Sequence, residues 1–225
     1  MIDPLYFLIT LPAMLLAMWA QFRIQSAYQR AQQEPAPVSG AAAARYILDS
    51  AGLAHVDIEM TPGQLSDHYD PVANVLRLSQ PVYHGRNLAA VGIAAHEAGH
   101  AIQKAEHYAP LFLRNAAVPA ANFGSRSAFL LVFLGLMASM PIVVKFGLAL
   151  FGAVVFFQVV NLPVEFDASA RAKRQLVQLG IVPEQEMGEV RAVLNAAAMT
   201  YVAGTLQAIL TFVYLFMRSG SSRDE

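Results

Sequence analysis

At 225 residues the chain can form one large domain or two small ones, and with 56% apolar and 14% charged residues it is not an ordinary soluble protein. Soluble domains usually carry roughly 25% charged residues, so the composition places at least part of the chain in lipid. A net charge of -1 predicts no binding to nucleic acid, and the absence of cysteine leaves His, Asp and Glu as candidate metal ligands.

The first apolar segment, Leu5 to Phe22, is long enough to cross a hydrocarbon core as a helix. We predict a retained membrane helix over residues 1–22. A cleaved signal peptide is the alternative, but the amino end carries Asp3 and no Lys or Arg. A polar segment and a linker containing Pro, Ser and Gly follow, so a separate folded region is expected next.

This folded region, residues 23–126, is predicted to contain a small sheet. A short helix ends at Gly52, a residue suited to a left-handed cap. Apolar and polar residues then alternate in residues 56–60 and 75–79, with turn residues between them. The pattern predicts two or three strands immediately before the next helix.

That next helix, from about Asn87 to His107, carries the motif His96-Glu97-Ala-Gly-His100. Residues four apart share a helix face, so both imidazoles can hold one metal ion, with Glu97 beside the water on that metal. Zinc suits such a site because it binds imidazole and carboxylate groups and keeps a position for water. His107 lies about two turns beyond His100, too far along the axis for the same ion. The motif therefore predicts metal-assisted hydrolysis.

The rest of the chain is dominated by apolar segments. Two of them meet at Lys145 and predict a membrane hairpin over residues 127–164. A polar helical region over residues 165–195 follows, then a fourth span over residues 196–217 and a polar tail over residues 218–225. We therefore expect about four transmembrane helices.

Basic residues indicate the orientation. The loops 23–126 and 165–195 hold twelve of the fifteen Lys and Arg residues, whereas Lys145 stands alone at the opposite face. By the positive-inside tendency both loops are cytoplasmic. We therefore expect an integral protein of the cell (inner) membrane whose metal site faces the cytoplasm.

The third metal ligand must lie on the same side of the membrane as the two histidines. Glu165 meets this condition at the base of the third span, where Pro163 allows a new helical direction to begin. A carboxylate there would complete a set of two His and one Glu with an open water position. Asp167 and Asp70 remain rival ligands.

Three segments together resemble a known family: residues 96–100, Asn161 to Ser169, and Asp67 to Pro71. They resemble the YugP-like neutral zinc metallopeptidases over nearly the whole chain. The plan is also similar to that of the HtpX-like membrane metallopeptidases, in which a Glu that opens a helix after a membrane hairpin is the third zinc ligand. The resemblance implies an α+β membrane protein, mainly helical and zincin-like, with its small sheet beside the motif helix.

The resemblance also implies roles for individual residues. Three are zinc ligands: His96, His100 and Glu165. Glu97 is the general base. The HtpX-like pattern has an Asp four residues after the ligand Glu, where this chain has Ser169, so Asp167 is the candidate for an acidic partner of the ligands.

The leading hypothesis is a gluzincin-like, zinc-dependent endopeptidase that cleaves membrane or membrane-associated proteins through a zinc-bound water and a glutamate base. Residues 75–79 are expected to present an edge strand to the substrate backbone. His68, Tyr69 and Arg171 are candidate oxyanion donors. The alternatives are a catalytically silent, zinc-stabilised membrane scaffold or adaptor and a protease whose motif lies inside the bilayer.

Overall fold

The structure is a computed structural model that describes residues 3–221. It is mostly helical with one small sheet, as the sequence predicts. In chain order the elements are α1 (Pro4–Gln33), α2 (Gly40–Ser50), β1 (Asp57–Thr61), β2 (His68–Asp70), β3 (Val75–Ser79), α3 (Gln80–His84), α4 (Leu88–Ala105), α5 (Ala109–Met137), α6 (Pro141–Gln178), a 3-10 turn (Glu184–Glu186) and α7 (Met187–Ser221).

Among the described residues, four helices are long and apolar enough to cross a membrane: α1, α5, α6 and α7. One detail differs from the prediction, because α6 runs as a single helix through Pro163 instead of starting a new helix there. Proline removes one backbone donor from a helix, and apolar helices tolerate this loss where neighbouring groups satisfy the freed carbonyl. Glu165 therefore lies inside α6 and does not open a helix.

The chain divides into two compact units. Within residues 3–221, the first contains the segment up to Trp19 and the segment from Thr200, together with Ala109–Pro163. The second contains Ala20–Tyr108 and Val164–Met199. All the residues predicted to form the metal site belong to the second unit.

The first unit is built from apolar helical segments, and several of its polar side chains form hydrogen bonds within the unit. The Thr205 hydroxyl donates to the backbone carbonyl oxygens of Tyr201 (2.9 Å) and Gln158 (3.3 Å), and the Tyr214 hydroxyl donates to Asp3 Oδ2 (2.8 Å). Such partners matter because an unsatisfied polar group is costly in an apolar environment. The buried apolar cluster of this unit consists of Ala128, Val132, Val144, Leu148, Phe151 and Leu215.

The second unit contains the sheet, whose strand order is β1-β3-β2. β1 pairs with β3 in parallel, and β2 pairs with β3 in antiparallel orientation. β3 is therefore the central strand, and the prediction that residues 75–79 present a free edge is wrong. The chain passes from one edge strand to the other before β3 inserts between them, a topology that alternating residues do not reveal.

The core of this unit packs α2, β3, α4 and the last part of α6 together. Its residues with no exposed surface include Ile47, Leu48, Leu76, Leu78, Val91 and Leu176. Asn87 starts α4 by accepting a hydrogen bond from Ala90 N through its side chain (2.9 Å). Gly52, after α2, adopts the expected left-handed conformation with φ +72°.

The turn between β2 and β3 is organised by Asp70. Its Oδ1 accepts hydrogen bonds from the backbone N–H groups of Val72 (2.9 Å) and Ala73 (3.0 Å), and its Oδ2 lies 2.6 Å from Arg77 Nη1. The Ala73 N–H and the Arg77 guanidinium stabilise the carboxylate and lower the pKa of Asp70 to about 2. Asp70 therefore stabilises the turn between β2 and β3.

This arrangement predicts a pH-dependent contribution of Asp70 to stability. Because its folded pKa is about 2 and its ordinary pKa is about 4, the carboxylate stabilises the fold above pH 4, and this stabilisation is lost as the pH falls towards 2. We expect Asp70→Asn to lower the free energy of unfolding at pH 7 and to have a smaller effect at pH 3. Denaturant titrations in detergent at both pH values would measure this.

The control is Asp57→Asn, at an exposed position of β1. An Asp70→Asn effect of equal size at pH 7 and pH 3 would contradict the role given to the ionised carboxylate.

Candidate metal centre

Helix α4 presents the two motif histidines on one face. The ring centroids of His96 and His100 are 4.8 Å apart, with the rings nearly perpendicular. This is the arrangement expected for residues one turn apart, as the sequence predicts. Both side chains are largely shielded from solvent, with 14% and 10% of their surfaces exposed.

Helix α6 brings Glu165 to these histidines by crossing close to α4. A Cβ at Gly99 would lie 2.7 Å from the Ala168 carbonyl oxygen, so only glycine allows this approach. Glu165 Oε2 lies 3.3 Å from His96 Nε2 and 3.8 Å from His100 Nε2. The three potential ligand atoms lie within 4.8 Å of one another.

The chemistry of these donors fits zinc. Two imidazole nitrogens and one carboxylate oxygen match the ligands of hydrolytic zinc sites, whereas calcium and magnesium prefer oxygen ligands alone. Within residues 3–221, this is the one group of three or more His, Asp or Glu side chains close enough to hold a metal ion. Of the rival third ligands, Asp70 holds the β2–β3 turn, and Asp167 bonds to Gln103 and Arg171.

The other ring nitrogen of each histidine bonds to an uncharged side chain. His96 Nδ1 lies 3.1 Å from Ser169 Oγ, and His100 Nδ1 lies 3.0 Å from Gln103 Oε1. Such bonds orient metal-binding imidazoles, and here they leave both Nε2 atoms on the side of Glu165. Ser169 thus occupies the position where the related pattern has an acid and contacts His96 through its hydroxyl.

Gln103 is the site residue that sequence reasoning missed. It lies three residues after His100, on the same helix face as the two histidines, and this polar side chain in a mostly apolar helix was the available signal. Asp167, the candidate acidic partner, accepts a hydrogen bond from Gln103 Nε2 (2.9 Å) and from Arg171 Nε (2.6 Å). The carboxylate is thus joined to His100 through an intervening amide.

Glu97 faces the edge strand β2. Its Oε2 accepts a hydrogen bond from the backbone N–H of Tyr69 (3.1 Å), which fixes the carboxylate beside the histidines. Burial raises the pKa of Glu97 to about 7, and the carboxylates of Glu165 and Asp67 add to the increase, while His96 opposes it. A carboxyl group with such a pKa can accept and return a proton near neutral pH.

The pKa of His96 is also shifted. Burial disfavours the charged imidazole, but the hydrogen bond to Glu165 and the negative charges of Glu97 and Glu165 outweigh burial and raise the pKa of His96. The same carboxylates therefore favour positive charge at this position, as expected for a site that attracts a cation.

All three candidate oxyanion donors have hydrogen-bond partners in the structure. The Tyr69 hydroxyl donates to Asn74 Oδ1 (2.6 Å), and Arg171 donates to Asp167. His68 is exposed on β2, with its Nδ1 2.7 Å from the Ser66 carbonyl oxygen. Arg171 therefore holds Asp167, and the Tyr69 hydroxyl holds the β2–β3 turn.

Comparison with known proteins agrees with this geometry. A family model described as "Putative neutral zinc metallopeptidase" matches residues 6–220. The chain is 43% identical over 226 residues to the "Putative membrane protease YugP" of Bacillus subtilis (strain 168), covering 98% of this chain and 99% of that protein. No solved structure matches significantly. Because the family model spans nearly the whole chain and a full-length relative shares 43% of its residues, the chain belongs to the family described as putative neutral zinc metallopeptidases.

Proposed function

We propose that the chain is an integral membrane, zinc-dependent endopeptidase of the gluzincin type. The observation that carries this proposal is the convergence of His96, His100 and Glu165 within 4.8 Å, on helices that also place Glu97 beside them. Two histidines and a glutamate as ligands, with an adjacent carboxylate as base, form the arrangement needed for metal-assisted hydrolysis. The family description and the name of the relative support the same reaction.

Each residue of the site has a separate role in the proposed mechanism. Zinc held by His96, His100 and Glu165 would supply Lewis acidity, which acidifies water and polarises a carbonyl group. Glu97 accepts the proton that the attacking water loses and returns it to the leaving amine. The Tyr69 N–H keeps this carboxylate oriented for both transfers.

We propose that the substrates are membrane proteins or proteins held at the membrane. Four helices with the length and composition of membrane spans support a bilayer location, as does the printed name of the relative. The proposed orientation places the site at the cytoplasmic face of the cell membrane, because twelve of the fifteen basic residues lie in the two loops that carry the site.

The first prediction concerns the proposed base. Glu97→Gln keeps an oxygen for the Tyr69 N–H but cannot accept a proton, so we expect zinc content to stay near one ion per chain. Cleavage of fluorescein-labelled casein by the detergent-purified protein should fall by about 10²- to 10⁴-fold. Cleavage by Glu97→Gln at the wild-type rate would contradict the mechanism, whereas zinc binding without cleavage by the wild-type protein would favour the catalytically silent scaffold.

The second prediction concerns the third ligand. Glu165→Gln should reduce the zinc content of the purified protein from about one ion per chain to well below it, because it removes the one anionic ligand. Elemental analysis after dialysis would measure the zinc. Glu186→Gln is the matched control, since this exposed acid lies in the 3-10 turn before α7, outside the network that contacts the proposed ligands. If the zinc content of Glu165→Gln equals that of the wild-type protein, the third ligand is a residue other than Glu165.

The third prediction concerns orientation, and it uses the absence of natural cysteine. Single cysteines at Gln64, an exposed position between β1 and β2, and at Lys145 form a matched pair. Lys145 lies at an exposed position near the start of α6, after the turn that joins α5 to α6, and not at the hairpin tip that the sequence predicts. In intact spheroplasts a membrane-impermeant maleimide should label Lys145→Cys but should label Gln64→Cys only after lysis. The opposite pattern would reverse the proposed topology.

A further inference from the structure

Gln103 is a polar side chain with no exposed surface, inside the helix that carries the histidines. A buried amide is costly unless its donors and its acceptor all have partners. The Gln103 amide satisfies this requirement completely: Oε1 lies 3.0 Å from His100 Nδ1, and Nε2 donates to the Val164 carbonyl oxygen (2.7 Å) and to Asp167 Oδ2 (2.9 Å).

These contacts determine which way the amide points. Val164 O and Asp167 Oδ2 are both acceptors, so the NH2 group of Gln103 must face them. A flipped amide would place its oxygen against those two acceptors and lose both hydrogen bonds. The oxygen of Gln103 therefore faces His100, and His100 Nδ1 must be the donor in that bond.

The Asp167 carboxylate, which accepts a hydrogen bond from the Gln103 amide, is itself held by other residues. Arg171 Nε donates to Asp167 Oδ2 (2.6 Å), and Arg171 Nη1 donates to Glu106 Oε2 (2.6 Å). The guanidinium also lies over the Tyr108 ring, 5.9 Å from its centroid. Asp167 is therefore held between Arg171 and Gln103, and its position does not depend on His100.

The hydrogen bond from the Gln103 amide to Val164 connects α4 to α6, the helix that carries Glu165. Val164 directly precedes Glu165, so the hydrogen bond from Gln103 Nε2 to Val164 O ties α4 to the turn of α6 that presents the carboxylate. One side chain thus touches the ring of His100 and the backbone next to Glu165. A change at Gln103 would reach two of the three proposed ligands together.

We propose that Gln103 is a positioning residue of the zinc centre, which keeps His100 protonated at Nδ1 and fixes the turn of α6 that carries Glu165, so that His100 Nε2 and Glu165 meet the same ion. This inference rests on the proposed function, because it assumes that His100 and Glu165 bind zinc. Asp167 acts through Gln103 by holding its amide in one orientation.

The test compares Gln103→Met, which keeps the side-chain length and removes the amide, with the wild-type protein. Zinc affinity is measured by competition with a chromophoric chelator, and the ligand field is measured from the visible spectrum of the Co²⁺-loaded protein. We expect Gln103→Met to bind zinc about 10- to 100-fold more weakly and to shift the Co²⁺ bands. Wild-type affinity and an unchanged spectrum in this variant would overturn the inference.

The control for loss of packing is Val91→Ala, which removes an apolar side chain from a fully buried position of the same helix. Val91→Ala should lower the melting temperature without shifting the Co²⁺ spectrum. If it shifts the spectrum as Gln103→Met does, the effect comes from general loosening of α4 and the inference is overturned.

Asp167→Asn gives an independent readout of the same network. It should weaken zinc binding by itself, yet add little in a Gln103→Met background, because both changes act on one amide. If Gln103→Met does not fold, Asp167→Asn decides alone, and wild-type affinity with an unchanged Co²⁺ spectrum overturns the inference. A wild-type protein that binds no stoichiometric zinc refutes the proposed function itself, whereas failure of the variants alone refutes only the role of Gln103.

Discussion

The close crossing of α4 and α6 is the constraint on which the candidate centre depends. Gly99 allows the backbone of α6 to approach until a Cβ would lie 2.7 Å from the Ala168 carbonyl oxygen. At that separation Glu165, one turn earlier on α6, reaches the face of α4 between the two histidines. A larger side chain at position 99 would have to push the helices apart, because helix backbone does not yield as a flexible side chain does. The motif is therefore sterically coupled to its third ligand.

Where α4 crosses α6, neutral side chains contact the Nδ1 atoms of the histidines, and the charged pair behind them lies farther away. The side chains that touch the Nδ1 atoms of the histidines, Ser169 and Gln103, are neutral, and the charged pair of Asp167 and Arg171 lies one hydrogen bond farther away. Burying an unpaired charge beside the histidines would be costly, whereas a hydroxyl and an amide orient the rings at lower cost. The arrangement keeps the negative charge nearest the proposed ion on Glu165 and Glu97, where each has a chemical role.

Much of this organisation follows from the sequence. Spacing alone places His96 and His100 on one helix face, and alternation indicates the small sheet. The predicted topology favours Glu165 but leaves Asp167 and Asp70 as rival ligands, and the resemblance to the family implies Glu165 among them. The partners of the Nδ1 atoms were not predictable, since they depend on the register of α4 against α6. The central position of β3 and the continuity of α6 through Pro163 likewise depend on tertiary contacts that local patterns do not encode.

The order of the site residues along the chain has a consequence for biosynthesis. His96 and Glu165 are separated by 69 residues, and the intervening chain contains all of α5 and the apolar part of α6. During translation, α4 with its two histidines is therefore synthesised well before Glu165. A nascent chain that ends between α5 and Glu165 contains Glu97 and the two histidines but lacks the proposed third ligand. Full assembly of the candidate centre must wait until α5 and the first part of α6 have been synthesised, which would withhold the proposed hydrolytic activity from unfinished chains.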